Sequence, residues 1–162
     1  MVDGPDSLVL NGKAAEITTR IANVIKTVKE MAEKIGTGVD VSKGLQIESE
    51  NNFATAAGLA SSASGLSCLG FALAKLYGLP AEAVDPSVLA RLGSGSACRS
   101  IYGGFVVWHK GWTGNVAELK NEELEKVAPN SIAKPLPLND GVLDWWIENL
   151  SILICVVKPE EG

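Results

Sequence analysis

Between residues 45 and 76 the apolar pattern changes its period, and that change constrains the fold more than any other feature of the chain. Leu45, Ile47 and Ser49 alternate with Gln46, Glu48 and Glu50, the two-residue repeat of a strand with one face buried. From Ser61 the repeat lengthens. Leu66, Leu69, Leu73 and Leu76 fall at three- and four-residue steps, and Gly78 with Pro80 just beyond supplies the stop of a helix. A strand therefore runs through a short glycine-, alanine- and serine-rich segment into a helix, and the fold has to combine both element types.

The flanking sequence adds further elements of both kinds. Residues 8–10 read as a strand ending at the Asn11-Gly12 turn. Ile17, Ile21, Val24, Ile25, Val28, Met31, Ala32 and Ile35 predict one long helix with a core-facing stripe, closed by Gly36 and Gly38. Residues 87–92 read as a short helix, 105–108 as a strand, and 109–149 as loops around short elements, with a charged stretch at 120–126. The unbroken apolar run SILICVV at 151–157 predicts a buried strand. A buried strand so close to the last residue is expected to have a continuation, so the sequence reads as one piece of a larger protein.

Composition removes several function classes. At 162 residues, 46% apolar and 20% charged, the chain has the make-up of an ordinary globular domain. Fourteen basic residues against nineteen acidic ones give a net charge of −5 with no basic cluster, which argues against a nucleic-acid partner. No run approaches the roughly 18 apolar residues of a membrane span, and the first ten residues carry acidic groups where a signal peptide needs a basic flank. Cys68, Cys98 and Cys155 lack C-x-x-C spacing, so neither a disulfide framework nor a zinc site is expected, and a reduced cytoplasmic compartment is. His109, the only histidine, reads as a structural or surface residue at a strand end.

Glycine is the outlier at 17 residues, and four of them, Gly58, Gly65, Gly93 and Gly95, lie in two serine-containing segments. In the first, the chain passes through Gly58 to a helix headed by Ser61 and Ser62. Free N–H groups at a helix start, together with the positive end of the macrodipole, favour an anion, and a serine hydroxyl there can donate to phosphate or bind Mg²⁺. A Ser-Ser start is equally an ordinary N-cap. The segment is not the GxxxxGK[ST] loop, because the lysine is missing. In the second, Ser94 and Ser96 between Gly93 and Gly95 can form a backbone nest, with Arg99 as a planar fork for carboxylate or phosphate. A flexible Gly-Ser loop is the alternative. Cys98, with no histidine in reach by sequence, reads as a small packed side chain.

The stretches SENNFATAAGLASSASG (49–65) and ARLGSGSACRSIYGGFVVW (90–108) resemble the mevalonate diphosphate decarboxylases, within the superfamily of galactokinase, homoserine kinase, mevalonate kinase and phosphomevalonate kinase. The first is similar to the nucleotide-phosphate loop shared by that superfamily, and the second to the signature of the decarboxylases. The resemblance implies an α+β fold, the ribosomal S5 domain 2-like N-terminal domain of the superfamily. Residues 1–162 would form part of this ATP- and substrate-binding domain, incomplete at both ends and without the C-terminal domain. It implies ATP and Mg²⁺ as cofactors and mevalonate 5-diphosphate as substrate, converted to isopentenyl diphosphate, ADP, phosphate and CO₂. The complete enzyme is expected to be a homodimer. By motif position, Gly58, Leu59, Ala60, Ser61 and Ser62 correspond to the phosphate loop, with Ser62 on the metal-nucleotide. Ser94, Gly95, Ser96, Ala97, Cys98 and Arg99 correspond to the substrate stretch, and Arg20 to a further substrate-binding arginine. Ser62 and Arg99 are the residues to which the resemblance gives catalytic roles.

Four departures accompany it. Ala54 stands where the family has proline, and Leu92 where a basic residue is usual. The K-Y-W-G-K segment is absent, and no motif here matches the one that carries the catalytic aspartate, so that role falls to neither Asp140 nor Asp144. A related mevalonate-pathway kinase would share the loop at 58–62 without needing the second segment; a non-catalytic nucleotide-binding domain is the other alternative.

Overall fold

The computed structural model describes residues 1–111, 130–139, 141–153 and 155. Its first unit is a hairpin crossed by a parallel strand. β1 (Ser7–Leu10) and β2 (Lys13–Ala15) pair antiparallel across Asn11 and Gly12, whose φ values of 51° and 73° are those a two-residue hairpin turn needs. β3 (Gln46–Ser49) then lies parallel to β1, with Leu8 opposite Ile47 and Val9 opposite Glu48, giving the order β2-β1-β3. Parallel neighbours require a crossover, and α1 (Thr19–Ile35) supplies it.

The helix α1 is fixed at both ends. The Thr18 hydroxyl accepts from the Ile21 N–H, and Gly36, in the left-handed region at φ 76°, donates its N–H to the carbonyls of Ala32 and Glu33. Val24, Ile25, Val28 and Ala32 are buried, as the periodicity requires, whereas Ile35 at the last turn is 42% exposed. They pack with Leu45, Leu73, Ala74, Tyr77, Leu79 and Leu89 into the main core. Each large aliphatic side chain buried there contributes about 1.5–3 kcal/mol relative to its exposed state.

α2 (Ser61–Leu76) starts where the period change places it. Its buried stripe is Ala63, Leu66, Ser67, Gly70, Leu73 and Ala74; Leu76, expected on that stripe, is 46% exposed because the last turn runs past the edge of the core. α3 (Pro86–Gly93) begins with proline at its first turn and is capped by the Asp85 carboxylate, which accepts from the Ser87 N–H at 2.8 Å. A 3₁₀-helix (Gly95–Ile101) follows, then β4 (Val106–Trp108), which pairs antiparallel with β5 (Ala133–Pro135).

Two expectations near the end of the chain do not hold. Asp144, expected on a loop, sits on α4 (Val142–Asn149), one of the short elements within 109–149, and all eight residues of that helix are exposed. Residues 151–153 and 155, read as part of a buried strand, have no regular structure, with Ile152 79% and Leu153 88% exposed. A strand exists only where its N–H and C=O groups meet a partner, and among the described residues none pairs with these. Residues 154, 156 and 157 of that run, Asp140 and the charged stretch at 120–126 lie outside the described residues.

Candidate functional site

The first glycine-serine segment is built by backbone conformation. Ala56, Gly58 and Ala60 take positive φ values of 58°, 75° and 55°, every second residue across the turn into α2. Two are alanines, which pay roughly 1–2 kcal/mol each for the left-handed region. Such strain concentrates where the chain must present its backbone to something. Ala60 is the N-cap of α2 and offers no side-chain hydrogen bond, so the first N–H groups of the helix are not capped by protein. Ser61 turns back to accept from the Ala56 N–H at 3.4 Å. Ser62 is exposed, and its hydroxyl has no hydrogen bond among the described residues. The ordinary N-cap alternative therefore does not describe this start: Ser61 supports the loop, and Ser62 is left without a partner among the described residues.

The second segment is neither a nest nor a flexible loop. Gly93 and Gly95 have no positive φ, and residues 95–101 wind as the 3₁₀-helix. With three residues per turn, residues three apart eclipse, so Ser96 and Arg99 share a face. Ser94, extended just before it, holds its hydroxyl 3.4 Å from that of Ser96. Cys98 is fully buried, its Sγ donating to the Gly95 carbonyl at 3.0 Å, and burial pushes its thiol pKa up. A thiol that resists ionisation is a packed side chain, as expected, and not a nucleophile. Arg99 is exposed, with its guanidinium 6.0 Å from the Trp108 ring centre, and no carboxylate pairs with it among the described residues. Arg20, in the first turn of α1, is likewise exposed and unpaired among those residues.

These elements meet on a second, smaller core made of Ala63, Leu66, Ala90 and Ala97, with Ile21, Leu69 and Ile101 packed against it. Arg20 precedes Ile21, Ser62 precedes Ala63, and Ser96 and Cys98 flank Ala97. The cluster thus gathers the starts of α1, α2 and the 3₁₀-helix, and with them most of the residues singled out from sequence. Small side chains make the approach possible. A Cβ on Gly93 would stand 2.7 Å from Leu66 Cδ2, and one on Gly70 3.0 Å from the Ala90 backbone nitrogen. Beside the cluster, a shallow groove of 280 Å³ is lined by Ser64, Ser67, Cys68, Phe71, Ser100 and Ile101, none of them a residue expected at the site.

Trp108 and Ser131 escape sequence reasoning. The indole N–H of Trp108 donates to Ser131 Oγ at 3.0 Å across 23 residues, a separation with no local signal. His109 donates its backbone N–H to Ile132 and is otherwise a surface residue, and among the described residues no group of three His, Cys, Asp or Glu side chains could hold a metal. No helix among them is long and apolar enough to cross a membrane.

Comparison with known proteins gives one consistent family. Residues 3–118 match the model described as the diphosphomevalonate decarboxylase-like N-terminal domain. The diphosphomevalonate decarboxylase of Ganoderma lucidum is 49% identical and that of Homo sapiens 38%, each over 96% of this chain and 36% of its own length. A structure of MDDEF in complex with MVAPP, AMPPCP and magnesium superposes with a TM-score of 0.64 at 37% identity, over 85% of this chain and 36% of that one. Mevalonate diphosphate decarboxylase from Staphylococcus aureus does so with a TM-score of 0.57 at 36% identity, over 84% of this chain and 35% of its own. The chain spans about a third of the length of these relatives.

Proposed function

The chain belongs to the family of diphosphomevalonate decarboxylase-like N-terminal domains, and from that premise we propose that it carries the nucleotide- and substrate-binding part of an ATP-dependent mevalonate 5-diphosphate decarboxylase. The reaction gives isopentenyl diphosphate, ADP, phosphate and CO₂. The observation that supports this reading is the shared small-residue core of Ala63, Leu66, Ala90 and Ala97 with Ile21 packed against it, whose chain neighbours include Ser62, Ser96, Cys98 and Arg20.

The start of α2, without a side-chain cap, suits a nucleotide: Gly58, Leu59, Ala60 and Ser61 would present backbone to the phosphates, with the exposed Ser62 hydroxyl, unpartnered among the described residues, beside them. A hard oxygen ligand beside phosphate oxygens is what Mg²⁺ takes, so the donor set fits Mg-ATP. When bound, ATP supplies the phosphoryl group that turns the tertiary hydroxyl of the substrate into a leaving group. Ser62 and the N–H groups behind it hold the phosphates in position, which is most of what such a transfer asks of a protein. The Ser94 and Ser96 hydroxyls and the Arg99 guanidinium bind the acidic end of mevalonate 5-diphosphate, and Arg20 adds positive charge from the start of α1. Ala97 and Cys98 contribute packing that holds this stretch in place.

The S5 domain 2-like topology, a homodimer of the complete enzyme, and a cytoplasmic setting suited to three free cysteines belong to the same reading. So does a general-base aspartate in the part of the relatives that this chain does not span; Asp144, exposed on α4, is not assigned that role. The second segment favours the decarboxylase over a related kinase, because a kinase that shares the loop at 58–62 would not need the Ser94–Arg99 stretch, whose exposed Arg99 has no carboxylate partner among the described residues. The test is steady-state ATP-dependent CO₂ release by the enzyme carrying Ser62→Ala. Turnover is expected to fall about 10²-fold or more. Turnover near the parent rate with a lowered melting temperature would make Ser62 a structural cap only.

A further inference from the structure

Arg99 lies on the 3₁₀-helix, a poorly hydrogen-bonded element that rarely keeps its geometry for seven residues unaided. Most of its packing is against α2 and α3, and the β4–β5 ribbon adds a contact at its first residue through Trp108. The ring is held from behind: its N–H donates to Ser131 Oγ at 3.0 Å, and Ser131 is only 8% exposed. Ser131 is itself tied to α3, since its carbonyl accepts from Arg91 Nε at 3.0 Å, and two residues on the Ala133 N–H donates to the buried Ser87 hydroxyl at 3.0 Å. On its other side the ring abuts the bare backbone of Gly95, where an added Cβ would stand 3.1 Å from Trp108 Cη2, and it lies 6.0 Å from the Arg99 guanidinium. One indole thus touches the first residue of the 3₁₀-helix and its charged fifth residue.

We propose that Trp108 is a positioning residue for substrate: its ring, fixed by Ser131, sets the start of the 3₁₀-helix at Gly95 and holds the Arg99 guanidinium by a cation–π contact, so that the planar fork is pre-oriented toward the acidic end of mevalonate 5-diphosphate. This rests on the reading of Arg99 as a substrate residue. A guanidinium held flat against a ring keeps its N–H edge free to grip a carboxylate or phosphate through two parallel bonds, and less side-chain freedom is lost when the ligand arrives. The contact also accounts for a half-exposed tryptophan at a strand end, which the packing of the two cores does not require.

The test uses the chain with ¹⁵N-labelled arginine, whose three Nε–H signals are assigned by substituting each arginine in turn. Trp108→Leu is expected to shift the Arg99 signal and leave that of Arg20 in place, to weaken mevalonate 5-diphosphate binding in titration calorimetry about fivefold, and to leave Mg-AMPPCP affinity unchanged. Trp108→Phe, which keeps a ring face for Arg99 but loses both the Ser131 bond and the Cη2 and Cζ3 contact with Gly95, is expected to recover only part of the binding lost in Trp108→Leu. An unmoved Arg99 signal, or equal losses for both ligands in Trp108→Leu and Trp108→Phe, would overturn the proposal. If Arg99→Ala itself binds mevalonate 5-diphosphate as the parent does, the substrate reading of Arg99 fails. The Nε–H shift then decides the ring contact alone.

Discussion

The two glycine-serine segments have nearly the same composition and are built by different physics. At 56–60 the backbone itself is unusual: three residues take positive φ, and an added Cβ on Gly58 would meet nothing within 4 Å. At 93–99 the backbone is ordinary and the surroundings are close, with Leu66 against Gly93 and Trp108 against Gly95. Glycine serves conformation in the first and proximity in the second. On the proposed reading, the first segment would meet its ligand through backbone and the second through side chains on a packed helix.

The largest effect that could break this contrast is functional. Arg99→Ala in the enzyme is expected to lower kcat/KM for mevalonate 5-diphosphate about 10²-fold or more, and Arg99→Lys nearly as much, because an ammonium cannot make the two parallel bonds. Ser62→Ala should act on the nucleotide side instead. Steady-state kinetics with each substrate varied in turn separates the two; a lysine variant near the parent rate would reduce Arg99 to a general positive charge.

Next in size is Gly93→Ala. The new methyl group meets Leu66 at its Cβ and Cγ, both 3.2 Å away, as well as its Cδ2, so α2 itself must give way and a loss of about 1–3 kcal/mol is expected in urea unfolding. Gly58→Ala has open space around it, and its cost is the conformational one of about 1–2 kcal/mol. The contrast sharpens if nucleotide binding falls with Gly58→Ala and mevalonate 5-diphosphate binding with Gly93→Ala.

A smaller effect is alkaline. Burial raises the Cys98 thiol pKa above its ordinary 9.0, so folding favours the protonated form. The stability this gives is fully present below about pH 9.0 and is lost as pH rises through the raised folded value. Tyr77 and Tyr102, raised from 10.0 chiefly by burial, extend the same loss to higher pH. Urea midpoints at pH 7, 9 and 10 should fall, and Cys98→Ala should flatten the first part of that fall. The smallest effect is a gain: Ala60→Gly relieves a positive φ and should raise stability by up to about 1 kcal/mol.

How much of this was legible in the sequence follows from the range of the forces involved. The helix over 19–35, the strand at 46–49 and the start of α2 at Ser61 are set by local periodicity and punctuation, and they lie within a residue or two of where the pattern puts them. Whether an apolar residue is covered depends on distant partners, so Ile35 and Leu76 were placed inward and lie outward. The run at 151–157 shows the same limit: its composition specifies an affinity for burial without specifying a partner. Within the candidate site, Ser62, Ser96 and Arg99 are proposed from motif. The 3₁₀ winding of residues 95–101 and the ring beside Arg99 were not legible, because the first depends on packing against α2 and α3 and the second on the bond to Ser131, 32 residues after Arg99.

The central claim is that one small-residue core brings both anion sites to a common face. Backbone amide NMR of the chain, titrated first with Mg-AMPPCP and then with mevalonate 5-diphosphate, tests it directly. The nucleotide analogue is expected to move the amides of residues 58–63, mevalonate 5-diphosphate those of 94–99, and each ligand the amides of Ala63 and Ala97 in the shared core. Shifts from both ligands confined to α4 or to the groove at Ser64 and Cys68, with 58–63 and 94–99 unmoved, would contradict it.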